Sequence, residues 1–456
     1  MNIVIVGAGK VGQYLAHQLS NEGHNILAID YNESILNELT TEDDVTGIVG
    51  DGTDRTTLME AGVDQCDLFI AVTYEDDANI VASIMAKNMG AKYTIARVRK
   101  PNYLSHRDFM QSNMGIDLLI NPEFETSREI VRALDYPDAL NVELFFHGKV
   151  KMIQVIVPED SMLANRTLGQ LDQSGVLEGN LITIVYRNGE LTIPNGDFVI
   201  QAGDFIHIAG TKDNLQKFMH NLFGGKHDIQ SALIVGADRI SYSLARMLLK
   251  RGMRVKLIER DYERARHFLM MNPGAEVVHG DGTAPTILEE EHAEDFDAFI
   301  ALTNIDEENI VLSLVADEFG IKKRLAKVNR MELVRMTKVL DLDTTVTPKR
   351  SVANVILRIV RSMANTRTAQ NSQINHIYRL EDNKVEAIDF TVTEHSRLLE
   401  QPLRELALKQ GVLIAYILRG EDVQIPRGDT TLQAGDRLIL ITTHWRITSA
   451  DDILEG

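Results

Sequence analysis

The chain repeats itself, because segments of its first half return about 230 residues later. Gly50-Asp51-Gly52-Thr53 returns as Gly280-Asp281-Gly282-Thr283. The eleven residues Ala71–Val81 share six identities with Ala301–Val311, without a gap. Chance similarity does not keep one register over such a distance, so the repeat predicts that a whole fold is duplicated.

The bulk composition narrows the class of protein. The 456 residues exceed what one core holds, and predict about three to four domains. The 66 acidic against 47 basic residues give a net charge of −19. This charge disfavours binding to nucleic acid or to an anionic membrane surface, since both require clustered Lys and Arg.

The same composition predicts a cytosolic protein. A single cysteine, Cys66, excludes an intramolecular disulfide and indicates a reducing compartment. No segment approaches the roughly 20 apolar residues of a membrane helix. The first residues also lack the pattern of a signal peptide. We therefore expect any membrane role to go through a partner.

Short apolar segments alternate with helical patterns in both halves, which predicts βαβ units and an α/β fold with a doubly wound parallel sheet. In the first half the predicted strands are 3–6, 25–29, 46–49, 68–72, 94–98 and 118–120. In the second half they are 232–235, 255–258, 276–278, 298–302 and 325–328.

A second kind of segment follows each copy and predicts a small α+β domain. Residues 143–220 and 376–453 share Ile-Pro-X-Gly-Asp and Gln-Ala-Gly-Asp, which are turn sequences between strands. Gly224–Asp228 is the predicted linker between the halves. The expected domains are 1–123, 140–224, 229–350 and 370–456.

The first copy opens with a glycine loop that is typical of a dinucleotide site. Gly7-X-Gly9-X-X-Gly12 follows a strand and begins a helix, whose free N–H groups would face a pyrophosphate. Asp30 ends the second strand, where an acid accepts hydrogen bonds from a ribose hydroxyl. This acid favours NAD over NADP, because a 2′-phosphate would meet a negative charge.

Other candidate contacts follow the later strands. Asp51 could accept from an adenine amino group and Thr73 could bind phosphate or ribose, while a turn cap or ion pair is the alternative role. Arg97 is a candidate phosphate cation, and Lys10 is either a phosphate contact or a solvated loop residue. For the acidic run 75–77 we expect a helix N-terminus and no metal.

The second copy differs at its loop. Asp238 replaces Gly9 and Ser241 replaces Gly12, and a carboxylate would repel a pyrophosphate. Arg239 could offset that charge or bind phosphate itself. The sequence leaves three alternatives open for this second pocket: a nucleotide held differently, weak binding, or a vestigial site.

These motifs resemble the N and C domains of the RCK family, the regulators of potassium conductance. The glycine loop, Asp30, the Gly-Asp-Gly-Thr segment and 71–81 resemble its N domain, and the two turn motifs resemble its C domain. The tandem N–C–N–C order covers essentially the whole chain. It is similar to the cytosolic regulatory subunits of bacterial Trk-type potassium uptake systems.

The resemblance implies a function that composition alone does not show. Such subunits bind NAD(H) and adenine nucleotides such as ATP and ADP, and assemble as homotetrameric rings on the cytoplasmic face of the inner membrane. There they gate a potassium-conducting subunit of the TrkH or TrkG type. The implied nucleotide contacts are Gly7, Ala8, Gly9, Lys10, Val11, Gly12, Asp30, Asp51, Thr73, Tyr74, Arg97, Arg239, Glu259, Asp281, Thr303 and Lys327.

Two alternatives remain for the function. The same fold serves NAD-dependent dehydrogenases, but we find no histidine, acid and lysine set at catalytic spacing. The small domains also look too short for a substrate-closing lobe. A cytosolic regulator of another cation carrier, such as an antiporter, is the other alternative. The sequence predicts no catalytic residue.

Overall fold

A computed structural model provides the structure of the protein. It describes residues 1–100, 103–104, 106–224, 229–330, 332–334, 344–368, 374–380, 384–444, 447 and 449–455. The predicted linker lies outside this part of the chain except for its first residue, Gly224.

The first half begins with a six-stranded parallel sheet. Its strands are β1 Asn2–Val6, β2 Asn25–Asp30, β3 Val45–Val49, β4 Leu68–Ala71, β5 Tyr93–Arg97 and β6 Leu118–Ile120. They lie in the order β3-β2-β1-β4-β5-β6. All four residues of β4 are buried, as expected for a central parallel strand that is covered on both faces.

Helices connect these strands and fix where a ligand can bind. They are α1 Lys10–Asn21, α2 Glu33–Glu42, α3 Arg55–Glu60, α4 Asp76–Met89, α5 Arg107–Met114 and α6 Pro122–Asp135. The strand order reverses between β1 and β4, which pair directly. In such sheets the crevice at the carboxyl ends of the strands beside this reversal is the usual binding site.

A small antiparallel domain follows. Its strands are β7 Asn141–Phe145, β8 Val150–Ile156, β9 Arg166–Thr167, β10 Leu181–Arg187, β11 Glu190–Thr192, β12 Val199–Ile200 and β13 Phe205–Gly210. Its helices are α7 Leu168–Gln173 and α8 Lys212–Phe223. Five strands form the sheet β11-β10-β13-β8-β7, and β9 pairs with β12.

The second half repeats the parallel sheet. Its strands are β14 Ser231–Val235, β15 Arg254–Glu259, β16 Glu276–His279, β17 Ala298–Ala301, β18 Lys323–Lys327 and β19 Thr344–Val346, in the order β16-β15-β14-β17-β18-β19. Its helices are α9 Arg239–Lys250, α10 Tyr262–Met271, α11 Pro285–Glu290, α12 Asp306–Glu318 and α13 Pro348–Thr368. The sequence predicted five of these strands and missed β19, a three-residue edge strand.

The second small domain repeats the first in its sheet. Its strands are β20 Ile374–Leu380, β21 Val385–Thr391, β22 Val412–Arg419, β23 Asp422–Gln424 and β24 Arg437–Thr442, in the order β20-β21-β24-β22-β23. Both parallel sheets with their helices, followed each time by an antiparallel sheet, confirm the predicted α/β class and the duplication.

The aspartate of each Gln-Ala-Gly-Asp motif does more than form a turn. Asp204 accepts two hydrogen bonds of 2.6 Å from the guanidinium of Arg187. Asp436 accepts bonds of 2.9 and 2.7 Å from Arg419. Both aspartates are almost fully buried, so each motif fixes a bidentate ion pair that joins two strand ends.

The two halves pack like with like. One compact unit combines Met1–Leu134 with Ile229–Val360, and the other combines Asp135–Asp228 with Arg361–Gly456. The first unit therefore holds both parallel sheets, and the second holds both antiparallel sheets.

Specific contacts hold each pair together. In the first unit, Leu134 of α6 and Leu244 of α9 belong to one buried cluster. The Ser127 and Ser243 hydroxyls lie 2.6 Å apart beside it. In the second unit, the buried hydroxyl of Tyr416 donates a 2.6 Å hydrogen bond to the carbonyl of Ala209.

Candidate functional site

Two glycines of the first loop are required by the fold itself. Gly7 has φ +99°, a region that L-residues with side chains rarely adopt, and a Cβ there would lie 2.8 Å from the amide nitrogen of Thr73. A Cβ on Gly12 would lie 1.9 Å from the carbonyl oxygen of Gly7. These two residues let the loop turn and let α1 approach β1.

Gly9 differs, because the protein does not require a glycine there. Its φ is −69°, and a Cβ added at this residue would have no atom of the described chain within 4 Å. Gly9 is exposed and is the N-cap of α1, and no described side chain caps this helix. The first N–H groups of α1 therefore have no side-chain cap among the described residues, and offer a site for an anion that approaches the backbone closely.

Asp30 holds the loop from the end of β2. Its Oδ2 accepts a 2.6 Å hydrogen bond from the amide of Ala8, and its Oδ1 accepts a 2.9 Å bond from the amide of Asn32. The carboxylate is only partly buried. Each oxygen keeps a free lone-pair direction, which is the chemistry that a ribose hydroxyl needs.

Arg97 places a buried cation at the end of β5. The residue is 8% exposed, and its Nη1 donates to the carbonyls of Val72 and Thr73 at 3.3 Å each. Burial lowers the pKa of its guanidinium, and the positive charge of Arg99 lowers it further. Among the residues that the structure describes, no carboxylate forms an ion pair with Arg97, so an anionic ligand could supply the missing charge.

Thr73 is held by a residue that the sequence did not single out as functional. The amide and the hydroxyl of Thr73 both donate to Oδ1 of Asn79, at 2.8 and 2.7 Å. The Asn79 amide group donates to the carbonyls of Thr73 and Arg97 at 3.1 and 2.9 Å. Asn79 is fully buried, and it ties the ends of β4 and β5 together at the crevice. Its recurrence in both copies was the available signal.

Asp51 is largely committed to its own turn. Its Oδ1 accepts from the amide and the hydroxyl of Thr53, both at 2.7 Å. These bonds lower the pKa of Asp51, the hydroxyl bond first. A hydrogen bond with Asp51 raises the pKa of the neighbouring Tyr31 phenol, and Tyr31 is 70% exposed. Tyr74 is also exposed, and its ring lies 5.5 Å from the guanidinium of Arg99.

Lys10 and Val11 begin α1, and Lys10 faces the second copy of the parallel sheet. It lines a cleft of about 330 Å³ together with Lys349 at the start of α13. Burial lowers the pKa of the Lys349 ammonium, and the nearby charge of Lys10 lowers it further. Lys10 thus lies where two like charges meet beside the first glycine loop.

Asp76 and Asp77 of the acidic run 75–77 form hydrogen bonds with the segment that follows β5. The Asp76 carboxylate accepts from the amides of Arg99 and Lys100 at distances of 2.8 to 3.0 Å. Asp77 contacts Lys100 and Tyr103. Within the described residues, no group of three or more His, Cys, Asp or Glu side chains could hold a metal ion.

The second copy keeps the loop but fills its open end. Gly236 again has φ +99°. Asp238 is the N-cap of α9, and its Oδ1 accepts from the amides of Ile240 and Ser241 at 2.7 and 3.1 Å. Its Oδ2 forms an ion pair with the ammonium of Lys327, which ends β18 as Arg97 ends β5.

Glu259, the predicted ribose contact of this copy, is also engaged within the protein. Both oxygens of Glu259 accept backbone bonds, from Ala237 at 2.7 Å and from Asp261 at 2.9 Å. Arg264 donates to the carbonyl of Ala237 and lies 3.8 Å from Glu259. No motif or spacing in the sequence pointed to Arg264.

Three more predicted positions complete the second copy. Asp281 accepts from Thr283 as Asp51 accepts from Thr53, and its pKa is lowered for the same reason. Thr303 is bound by Asn309 through its amide at 2.8 Å. Arg239 is exposed at the start of α9.

The chain matches family models along most of its length. The TrkA-N domain model matches residues 3–122 and 232–348, and the TrkA-C domain model matches residues 152–222 and 387–454. The chain belongs to the TrkA family. The repeated N–C order of the matches is the same duplication that the sequence and the two sheets display.

Full-length relatives carry the same family name. The "Trk system potassium uptake protein TrkA homolog" of Archaeoglobus fulgidus is 32% identical over 453 residues, covering 99% of this chain and 100% of the relative. The "Trk system potassium uptake protein TrkA" of Halomonas elongata is 31% identical over 451 residues, covering 98% of this chain and 96% of the relative.

Solved structures share the fold. The structure described as "GsuK channel bound to NAD" has a TM-score of 0.60 and 21% identity, and the match covers 97% of this chain and 76% of that one. The GsuK RCK domain has a TM-score of 0.60 at the same identity, and the match covers 96% of this chain and 92% of that one. This agreement confirms the tandem RCK fold. None of the helices in the described ranges is long and apolar enough to cross a membrane.

Proposed function

We propose that this chain is a nucleotide-sensing regulatory subunit that gates a membrane potassium uptake channel or transporter of the Trk type. The observation that carries the proposal is the pair of features at the first loop, an uncapped α1 at Gly9 and a buried Arg97 that forms no ion pair among the described residues. Together they offer an anion both backbone N–H groups and a cation. The family name of the full-length relatives supplies the transport context.

The ligand that fits this pocket best is NAD or NADH. The pyrophosphate would lie over the N-terminus of α1 beside Arg97, and Asp30 would accept from a ribose hydroxyl. A 2′-phosphate at that ribose would meet the Asp30 carboxylate, which disfavours NADP. ATP and ADP carry the same ribose and phosphates, and are the second ligand class. The residues proposed as contacts are those named above for the first copy.

A sensing role suits this site better than catalysis. Hydride transfer needs a proton donor or acceptor near the nicotinamide. The described polar groups around the crevice, such as Asn79 and Asp76, are already committed to backbone bonds. The relatives are named as potassium uptake proteins, and a dehydrogenase activity has no comparable support.

Gating would follow from linkage between binding and shape. A nucleotide shifts a conformational equilibrium only by its differential affinity for the two states. A tenfold preference contributes about 1.4 kcal/mol per site, so four sites in a homotetramer would contribute several kcal/mol. We propose such a tetramer on the cytoplasmic face of the inner membrane, bound to a TrkH- or TrkG-type subunit. Within each chain of this tetramer, the proposed domains are 1–123, 140–224, 229–350 and 370–456.

Calorimetry and flux measurements together test this function. The full chain is titrated with NADH, NAD, ATP and ADP, and is then reconstituted with a TrkH-type subunit in potassium-loaded vesicles. We expect saturable binding and a potassium flux that differs between nucleotides. Flux that is equal in all four nucleotides and in their absence would contradict the proposal. Oxidation of NADH by the pure protein with a candidate substrate would favour the dehydrogenase.

A further inference from the structure

In the second loop, a carboxylate of the protein itself lies at the helix N-terminus. In the first copy the α1 N-terminus has no described side chain over it, whereas the Asp238 carboxylate lies on the α9 N-terminus. Oδ1 of Asp238 accepts from two successive backbone amides and lies 3.4 Å from the hydroxyl of Ser241. A bound phosphate would otherwise accept hydrogen bonds from these same donors.

The cation of the second pocket is already neutralised. Lys327 occupies the place of Arg97 at the end of the fifth strand, and its side chain is 6% exposed. Its ammonium is paired with Asp238, whose own side chain is 13% exposed. Arg97 has no such partner within the described chain, because Gly9 stands at the position of Asp238. The residue at this loop position, Gly9 or Asp238, therefore determines whether the buried cation at the end of the fifth strand has an ion-pair partner.

The ribose position is less accessible as well. Asp30 and Glu259 both accept one backbone bond at each oxygen, but Asp30 is half-buried whereas Glu259 is 4% exposed. Arg264 lies against Glu259 and donates to the carbonyl of Ala237 inside the loop. The equivalent position of α2 carries Ile35, which cannot form either contact.

From these contacts we infer that Asp238 is a built-in substitute for the ligand phosphate. Its carboxylate occupies the phosphate subsite of the second copy, neutralises Lys327 and caps α9, so the second pocket excludes nucleotide. Each chain then senses nucleotide with its first pocket alone, and the second copy stays in one state. The inference rests on the proposed nucleotide binding of the first copy.

Exclusion follows from charge as well as from space. A phosphate entering the second loop would have to displace the Asp238 carboxylate from two amides and from Lys327. The displaced carboxylate would then lie beside the phosphate without a partner, and like charges at close range repel each other. In the first loop no described carboxylate has to move to admit a phosphate.

The stoichiometry of the unmodified chain is the first test. Calorimetric titration with NADH, and separately with ATP, should give one site per chain, and Gly9→Asp should abolish it. Two sites per chain, or one site that survives Gly9→Asp, would overturn the inference. Absence of any binding by the unmodified chain would instead contradict the proposed function, so the two failures are distinguishable.

Opening the second pocket is the second test. The double variant Asp238→Gly, Ser241→Gly restores the glycine pattern and frees Lys327, and should raise the stoichiometry from one to two sites per chain for NADH or ATP. The matched control is Asp261→Gly, which removes another N-cap aspartate of this copy, one that binds the amide of Arg264 at 2.9 Å. This control should keep one site.

The outcomes of this second test are decisive when the variant is folded. Circular dichroism and a melting curve first establish that the double variant has the secondary structure of the unmodified chain. A folded double variant with one site would overturn the role of Asp238, as would a second site in the Asp261→Gly control. If the double variant does not fold, Asp238→Gly alone replaces it, because it removes the carboxylate from the α9 amides and from Lys327 while Ser241 is kept. This variant should admit ATP at a second site, and unchanged stoichiometry would count against the inference.

Discussion

The two parallel-sheet copies share one framework but differ in what covers the N-terminus of their first helix. In both, a buried asparagine ties the fourth and fifth strands together, with Asn79 and Asn309 each donating a 2.9 Å bond to the last residue of the fifth strand. At the helix N-terminus they diverge, since Gly9 leaves the amides open and Asp238 covers them. The comparison teaches that one residue in the loop can cap the helix and neutralise a buried cation of the same fold.

The largest expected effect comes from making the first copy like the second. Gly9→Asp should cap α1 and pair with Arg97, and should weaken NADH binding at least about 100-fold, or roughly 2.7 kcal/mol. Calorimetry measures the affinity and a melting curve shows that the fold is intact. Gly9→Ala is the matched control for a side chain without charge, because its Cβ meets no described atom, and it should weaken binding less than Gly9→Asp does. An affinity in Gly9→Asp equal to that of the unmodified chain would break the comparison.

The cations at the fifth strands should respond in opposite ways. Arg97→Met should weaken NADH binding roughly 10- to 100-fold, since a hydrogen bond to a charged group contributes about 1.5–3 kcal/mol. It should cost less stability than Lys327→Met, because the removed cation forms no ion pair among the described residues, although two backbone carbonyls lose a donor. Lys327→Met should leave the affinity unchanged.

The stability of the second variant sharpens this contrast. Lys327→Met should lower the free energy of unfolding by about 1–3 kcal/mol, because Asp238 loses its counter-charge. Urea denaturation of both variants gives the two values. A larger stability loss for Arg97→Met than for Lys327→Met would reverse the assignment of the paired and unpaired cation.

The shared framework should respond equally in both copies. Asn79→Ala and Asn309→Ala each leave a buried amide and two carbonyls without their partner, and each should cost about 1–3 kcal/mol of stability. Differential scanning calorimetry measures the two losses. Stability losses that differ by more than about 1 kcal/mol would show that the two frameworks are not equivalent.

The smallest effect concerns the turn after the third strand. Hydrogen bonds from Thr53 lower the pKa of Asp51, so their stabilising contribution is present above the unfolded-state pKa and is lost as the pH falls through the folded-state value. Thr53→Val removes the hydroxyl bond. In this variant the free energy of unfolding should fall less between about pH 5 and pH 3 than in the unmodified chain, and the difference should be below about 1 kcal/mol. Thr283→Val should do the same at Asp281. Urea titrations at several pH values test both variants, and an unchanged pH profile would exclude the bond as the cause.

The fold could be predicted because its signals are local. Apolar segments about four to six residues long, helical spacing between them and glycine turns mark each element without knowledge of distant contacts. The missed strand, β19, has three residues and two of them are threonine, so it carries little apolar signal. The Asp204–Arg187 pair was missed for another reason, since a Gly-Asp turn hides a partner 17 residues away.

The site could be predicted only in part. The glycine spacing located the first loop. For the second loop the sequence predicted only that the Asp238 carboxylate would repel a pyrophosphate, and the structure places this carboxylate on the first amides of α9. The sequence suggested Arg239 as the offsetting charge, but the structure places Lys327 there, 89 residues from Asp238. Such a pair depends on the end of β18 reaching the start of α9, which periodicity does not reveal. The roles of Asn79 and Arg264 required the same long-range information.

The like-with-like packing of the halves has a consequence for truncation. The chain passes between the two compact units at residues 134–135, 228–229 and 360–361, so neither unit is one continuous segment. A fragment ending at Gly224 would contain one member of each pair and would expose the apolar side of α6 that Leu134 contributes. Two such fragments could cover each other, so the intact polypeptide amounts to a tethered dimer of half-length chains. The tether allows the two members to differ, and here it joins one copy with an uncapped helix N-terminus to one copy whose N-terminus is capped by Asp238.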